Sequence, residues 1–135
     1  MARIETTGFE EIEKQFLRRA EKAVKAVPRM LKRGAEVLAE AQRREIDQMD
    51  IVDKGELMRS VKPTKVKQKE ESSYIDVYPQ GTDSKGVRNA EKGFIAQYGK
   101  SNEPARPWMT AANAKSADAV HNAMWEEWER VNNEG

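Results

Sequence analysis

The chain has 135 residues, 38% hydrophobic and 35% charged, with no cysteine and a formal net charge of +1. One domain of this length buries roughly two-thirds of its unfolded surface, so a thin core under a heavily charged surface is expected. Disulfides and thiolate metal sites are excluded, the near-neutral charge implies no bulk attraction to nucleic acid or anionic membrane, and no apolar run approaches the ~20 residues of a bilayer span. The N-terminus lacks the apolar segment of a signal peptide, which predicts a soluble, cytosolically made protein.

Thr7, Gly8, Phe9 and Glu10 match a capping box, with a hydroxyl to accept from the third helical N–H and a glutamate to reach back. Phe9, Ile12, Phe16, Leu17, Ala20, Ala23, Val24 and Val27 then recur at steps of three and four, which predicts an amphipathic helix. Pro28 either kinks one long helix or opens a second. A weaker stripe of Met30, Leu31, Ala35, Val37, Leu38, Ala41 and Met49 follows, and Arg43, Arg44, Glu45 and Asp47 read as solvated surface.

Asp53, Lys54 and Gly55 predict a turn, after which Val61 to Lys69 alternates loosely, Glu70 to Ser73 reverses the chain, and Tyr74 to Tyr78 reads as a second strand. The first strand of this hairpin carries Pro63 and a row of lysines, the marks of an edge. From Pro79 to Gly93 a polar stretch with Gly81 and Gly86 predicts a mobile loop, in which Gly81, Lys85, Gly86 and Arg88 are candidates for ordering against a partner. Phe94 to Tyr98, ended by Gly99, is a third strand or a helical turn, and periodicity does not decide between them.

Asn102 to Pro107 is held extended by Pro104 and Pro107. Thr110 is a plausible N-cap for a last helix with a stripe of Ala114, Ala117, Val120, Met124, Trp128 and Val131. The expected fold is α+β and a single domain: residues 7–49 helical, 50–100 hairpin, loop and short element, 101–131 proline segment and closing helix. The sheet is expected to have about three antiparallel strands with the closing helix packed on it.

Chemistry is sparse. His121 is the only histidine and sits on a helix beside Trp125, so neither a hydrolytic triad nor a zinc site can be assembled. Glu10, Glu11 and Glu13, and Glu126, Glu127 and Glu129, read as solvated helix faces. No phosphate loop is present, Asp76 stands alone on its strand, and neither an enzyme nor a cofactor is expected. Between Lys54 and Lys69, six basic residues (Lys54, Arg59, Lys62, Lys65, Lys67, Lys69) face Glu56 alone. This basic hairpin supports an alternative reading, a nucleic-acid-binding accessory protein, although no aromatic side chain interleaves to stack on bases.

Two segments carry a resemblance. Asp53-Lys54-Gly55-Glu56-Leu57-Met58-Arg59-Ser60-Val61, with Gln97-Tyr98-Gly99-Lys100 and Pro104-Ala105-Arg106-Pro107-Trp108-Met109 some forty residues on, resemble in order and separation the two signatures of a family of phage neck and tail-completion proteins, often labelled by the tenth gene product of a lambdoid coliphage. The likeness covers about Gly8 to Ala119. Ile51, Lys54, Gln97 and Trp108 stand where that family commonly has proline, threonine, an acidic residue and phenylalanine. The resemblance implies a non-catalytic virion protein of a tailed bacteriophage or prophage, made in the bacterial cytoplasm and built into the neck or tail. It further implies a ring, hexameric by expectation, between head connector and tail tube, with DNA passing through its lumen and no membrane partner. Asp53, Gly55, Leu57, Arg59, Ser60, Tyr98, Gly99, Pro104, Arg106, Pro107 and Trp108 would be its fold and assembly residues.

Overall fold

The computed structural model describes residues 7–50, 54–70 and 72–134. The elements are α1 (Thr7–Asp47), α2 (Lys54–Ser60), β1 (Val61–Pro63), β2 (Lys67–Lys69), β3 (Ser72–Tyr74), β4 (Val77–Pro79), α3 (Asn89–Tyr98) and α4 (Trp108–Asn132). The class is α+β, with a long N-terminal helix, small antiparallel hairpin sheets and a closing helix packed against the first.

The 41 residues of α1 form one helix with Pro28 inside it, so the chain resolves the choice left by the sequence in favour of continuity. Proline removes the N–H that the carbonyl of Val24 would use. Val24 is 77% exposed, on a flank where water can replace that donor. The side chains of the Thr7–Glu10 capping box, and Asp53 of the signature turn, lie outside the described residues.

The closing helix does not lie on the sheet as expected; it runs antiparallel along α1. Lys115 meets Glu45 at 2.8 Å near one end of the seam, and Lys22 Nζ donates to the Asn132 carbonyl at 2.8 Å near the other. Gly34 lies at a close approach of the two helices, since a Cβ there would stand 2.8 Å from Met124 Cγ. The buried face of α4 is Trp108, Ala112, Ser116, Ala123, Glu127 and Val131. Ala114 and Ala117, expected on the stripe, are exposed. The buried positions of its first turns run instead at four-residue steps through Trp108, Ala112 and Ser116.

Two further surface assignments are overturned. Glu127 is buried, held by Arg29 at 2.8 Å and Arg130 at 2.6 Å. A carboxylate at a core-facing position is tolerated when cations pair with it from both flanks. Arg29 also pairs with Glu134 at 3.1 Å, and that hydrogen bond raises the guanidinium pKa and lowers that of Glu134. Glu45 and Arg43 likewise are not plain solvated surface: Glu45 pairs with Lys115, and Arg43 donates to the Val61 carbonyl at 2.7 Å.

The hairpin forms, but in two pieces. β1 pairs with β4 (Val61 opposite Pro79, Pro63 opposite Val77) and β2 pairs with β3 (Lys67 opposite Tyr74, Lys69 opposite Ser72). Three residues separate the inner and outer pairs on the first arm and two on the second, so the arms carry a one-residue slip. Such an extra residue bends a ladder and strengthens its twist. Thr64 fills the gap: its N–H donates to the Asp76 carbonyl at 2.8 Å, and its hydroxyl accepts from the Asp76 N–H at 3.1 Å. Four short strands in two pairs therefore replace the expected three-stranded sheet. The third candidate strand, Phe94–Tyr98, is the second half of α3.

The core gathers where the hairpin base, α2 and α3 meet the C-terminal end of α1. Ala39, Ile46, Met49, Leu57, Val61, Ala96 and Trp108 form one buried cluster, flanked by Met58, Val77 and Met109.

Candidate assembly surface

The two sequence signatures converge on this core. In α2, Leu57 is buried in the cluster, Ser60 Oγ donates to the Leu57 carbonyl at 2.6 Å, and Lys54 Nζ donates to the Asp47 carbonyl at 2.6 Å, closing the turn from α1. Arg59 is exposed, its guanidinium lying back toward Gly55, where a Cβ would meet it at 3.3 Å. In the second signature, the Arg106 N–H donates to the Ala96 carbonyl at 2.7 Å, giving the end of α3 one of the partners a helix terminus needs. Arg106 Nη1 donates to the Asp50 carbonyl at 2.7 Å, tying the proline segment to the exit of α1. Trp108 is buried, and its indole N–H donates to the Gly93 carbonyl at 2.9 Å.

Pro107 occupies the N-cap position of α4 with no side-chain cap of its own. The cap comes from α3: Gln97 Oε1 accepts from the Met109 N–H at 2.8 Å, and Gln97 Nε2 donates to Thr110 Oγ1 at 2.7 Å. Thr110 is thus inside the helix and is not its cap. Gly99 ends α3 at φ 76°, and a Cβ there would stand 2.8 Å from both the Ala105 nitrogen and the Glu103 oxygen. Only glycine combines that backbone with that approach. Sequence reasoning passed over Gly93, whose place between Trp108 and Pro79 leaves 3.0 and 3.1 Å for a Cβ, and Gly34 at the seam. Neither lies in a turn pattern, so no local signal distinguishes them from ordinary helix glycines.

The expected mobile loop is built in another way than the sequence suggests. Its last residues belong to α3, and the rest closes on Asp83. The Asp83 carboxylate accepts from the N–H groups of Lys85 and Val87, both at 2.9 Å, and pairs with Lys92 at 2.7 Å. The bond to Lys92, helped by those to Val87 and Lys85, holds its pKa down at about 2. Thr82 and Arg88 bridge across the neck of the loop. Gly81 and Gly86 take φ of 72° and 81° in open space, so here glycine serves the backbone and not a close contact. Lys85 and Arg88 are exposed at its rim.

Several apolar and aromatic side chains also face outward. Phe94 and Tyr98 are 59% and 64% exposed, with ring centroids 5.1 Å apart, and Trp125 and Leu17 are more than half exposed. A shallow cavity of about 300 Å³ opens where the exit of α1 meets the start of α4, lined in part by Met49, Asp50, Arg106, Pro107 and Trp108. Arg106 Nε is buried without a hydrogen-bond partner at its wall. Among the described residues, no group of three or more histidine, cysteine or carboxylate side chains is placed to hold a metal, and no helix is long and apolar enough to cross a membrane. Comparison of the chain with family models, with curated proteins and with solved structures gives no match.

Proposed function

We propose that this chain is a structural subunit of a tailed-bacteriophage virion that assembles as a ring at the head–tail interface and acts by contact, not catalysis. The observation that carries this reading is the convergence of its two signature segments. Residues more than forty positions apart in sequence meet around Leu57 and Trp108, and Arg106 bonds the exit of α1 at Asp50. The resemblance joins these segments as one signature, and a shared fold role accounts for their joint occurrence. The exposed Phe94–Tyr98 ring pair then offers apolar surface to a neighbour.

The basic hairpin is the weaker candidate surface, since Lys54 and Lys67 are paired within the chain to Asp47 and Asp76. Electron microscopy of a lysate from the parent phage lacking this gene tests the proposal. Filled heads and finished tails lying apart are the expected result for a joining subunit, and filled heads with abnormal tails for a tail-completion subunit. Normal infectious particles would overturn it and bring the nucleic-acid reading forward.

A further inference from the structure

Pro28 leaves one carbonyl of α1 without its helical donor, and that carbonyl lies on an open part of the surface. It belongs to Val24, which is 77% exposed. Ala20 and Val27 on the same side are exposed as well, and Ala23, Pro28 and Leu31 are half-buried. At helical spacing these residues outline two neighbouring holes of the kind that receive a knob from another helix. Ala20, Ala23, Val24 and Val27 form the first, and Val24, Val27, Pro28 and Leu31 form the second, four residues further on. α3 carries knobs at the same spacing. Phe94 and Tyr98 stand four residues apart, 59% and 64% exposed. The Tyr98 ring touches that of Phe94, and its hydroxyl bonds nothing among the described residues.

We propose that the two holes on α1 receive Phe94 and Tyr98 of a second copy, with the Tyr98 hydroxyl donating to the Val24 carbonyl. The contact rests on the ring reading and supplies its joint. The chemistry of the holes selects the occupant. Covering a carbonyl with apolar side chains alone costs it its hydration, so whatever fills these holes has to bring a donor. Tyrosine brings one at the end of an apolar ring. Two α1 faces set against each other would bring two such carbonyls and no donor for either, so the unlike pairing is favoured over the like one. The two patches cannot meet within one chain. Ala96, between the rings, packs in the same cluster as Ile46, and about 33 Å of helix at 1.5 Å per residue separates Ile46 from Val24. A joint between unlike patches at opposite ends leaves one of each free, and its repetition at a fixed rotation closes a ring.

Sedimentation equilibrium of the purified chain should show species above the single-chain mass that grow with concentration. Phe94→Glu and Val24→Glu should each sediment as single chains with unchanged helical circular dichroism, both positions being exposed. Mixed in equal amounts they should form a two-chain species and nothing larger, because only one joint between them is intact. Tyr98→Phe keeps the ring, removes the donor, and should weaken association roughly 2- to 12-fold. Pro28→Ala gives the Val24 carbonyl its helical donor back, so in that background Tyr98→Phe should change nothing further. A parent chain that stays single at every concentration, leaving the holes to a different protein, overturns the proposal. So does a mixture that stays unassembled, or a full effect of Tyr98→Phe in the Pro28→Ala background. A ring unaffected by Phe94→Glu and Val24→Glu overturns this joint and leaves the virion reading standing, whereas normal particles from the deletion lysate would remove the ring reading itself.

Discussion

Gln97 and Gly99 stand two residues apart at the end of α3, yet each supports a different joint. Gly99→Ala forces an L side chain into the left-handed region and into backbone 2.8 Å away. The expected cost is about 1–3 kcal/mol, read as a lower denaturation midpoint with unchanged slope. Gln97→Ala removes the acceptor for the Met109 N–H and the donor to Thr110, and should cost about 1–2 kcal/mol. Gln97→Glu keeps the acceptor and adds negative charge at a helix N-terminus, so it should retain most of that stability. This is the position where the resembled family carries an acidic residue, and the cap gives a physical reason for either side chain. Equal midpoints for Gln97→Ala and the parent would show that the cap contributes nothing.

At the scale of elements, the loop before α3 is held by a carboxylate whose pKa is depressed from 3.8 to about 2. A group lowered on folding stabilises the folded form fully above its unfolded value, and that contribution is lost as pH falls through the folded one. The loop should therefore stay closed at neutral and mildly acidic pH and loosen only between about pH 3.8 and 2. Amide exchange at Lys85 and Val87, whose N–H groups bond Asp83, reads this directly. Asp83→Asn should expose the same amides at pH 7, and protection unchanged by that substitution would remove Asp83 from the role.

Elements with a strong local signal were legible in the sequence: the helical period of α1, the hairpin and the proline segment. The turn expected at Lys54 and Gly55 is instead the start of α2, and Leu17, Ala20, Val24 and Val27 of the expected apolar stripe are exposed. What the sequence hid depends on distant partners. Glu127 reads as surface until Arg29 is known to lie opposite, and the second half of α3 reads as either strand or helix because Phe94, Ile95, Ala96 and Tyr98 fit both periods. The Asp83 loop reads as mobile because hydrogen bonds from one carboxylate to its neighbours leave no apolar trace. Leu57 and Trp108 belong to separate sequence segments, and their shared cluster became visible only in three dimensions.

For the whole molecule, the seam between α1 and α4 is the longest contact, and Gly34 sets its closeness. Alanine is the better helix former by about 1 kcal/mol. Gly34→Ala should nevertheless lower stability, because its Cβ would meet Met124 Cγ at 2.8 Å and Val120 at 3.3 Å and push the helices apart. Thermal unfolding of Gly34→Ala beside Gly34→Ala/Met124→Ala checks the cause: if the clash is responsible, the second change should cost less in the alanine background than in the parent.

The same seam also shapes how the chain reaches its fold. Its two ends join residues 70 apart at Glu45–Lys115 and 110 apart at Lys22–Asn132. Closing the shorter span first costs less chain entropy, and the core around Ile46 and Trp108 already sits at that end. α1 and α4 should therefore zip from that end outward, with the Arg29–Glu127–Arg130 cluster locking late. Substitutions at Lys115 or Ile46 should slow folding, while Glu127→Gln should chiefly hasten unfolding, leaving that cluster as the latch that sets the lifetime of the native state.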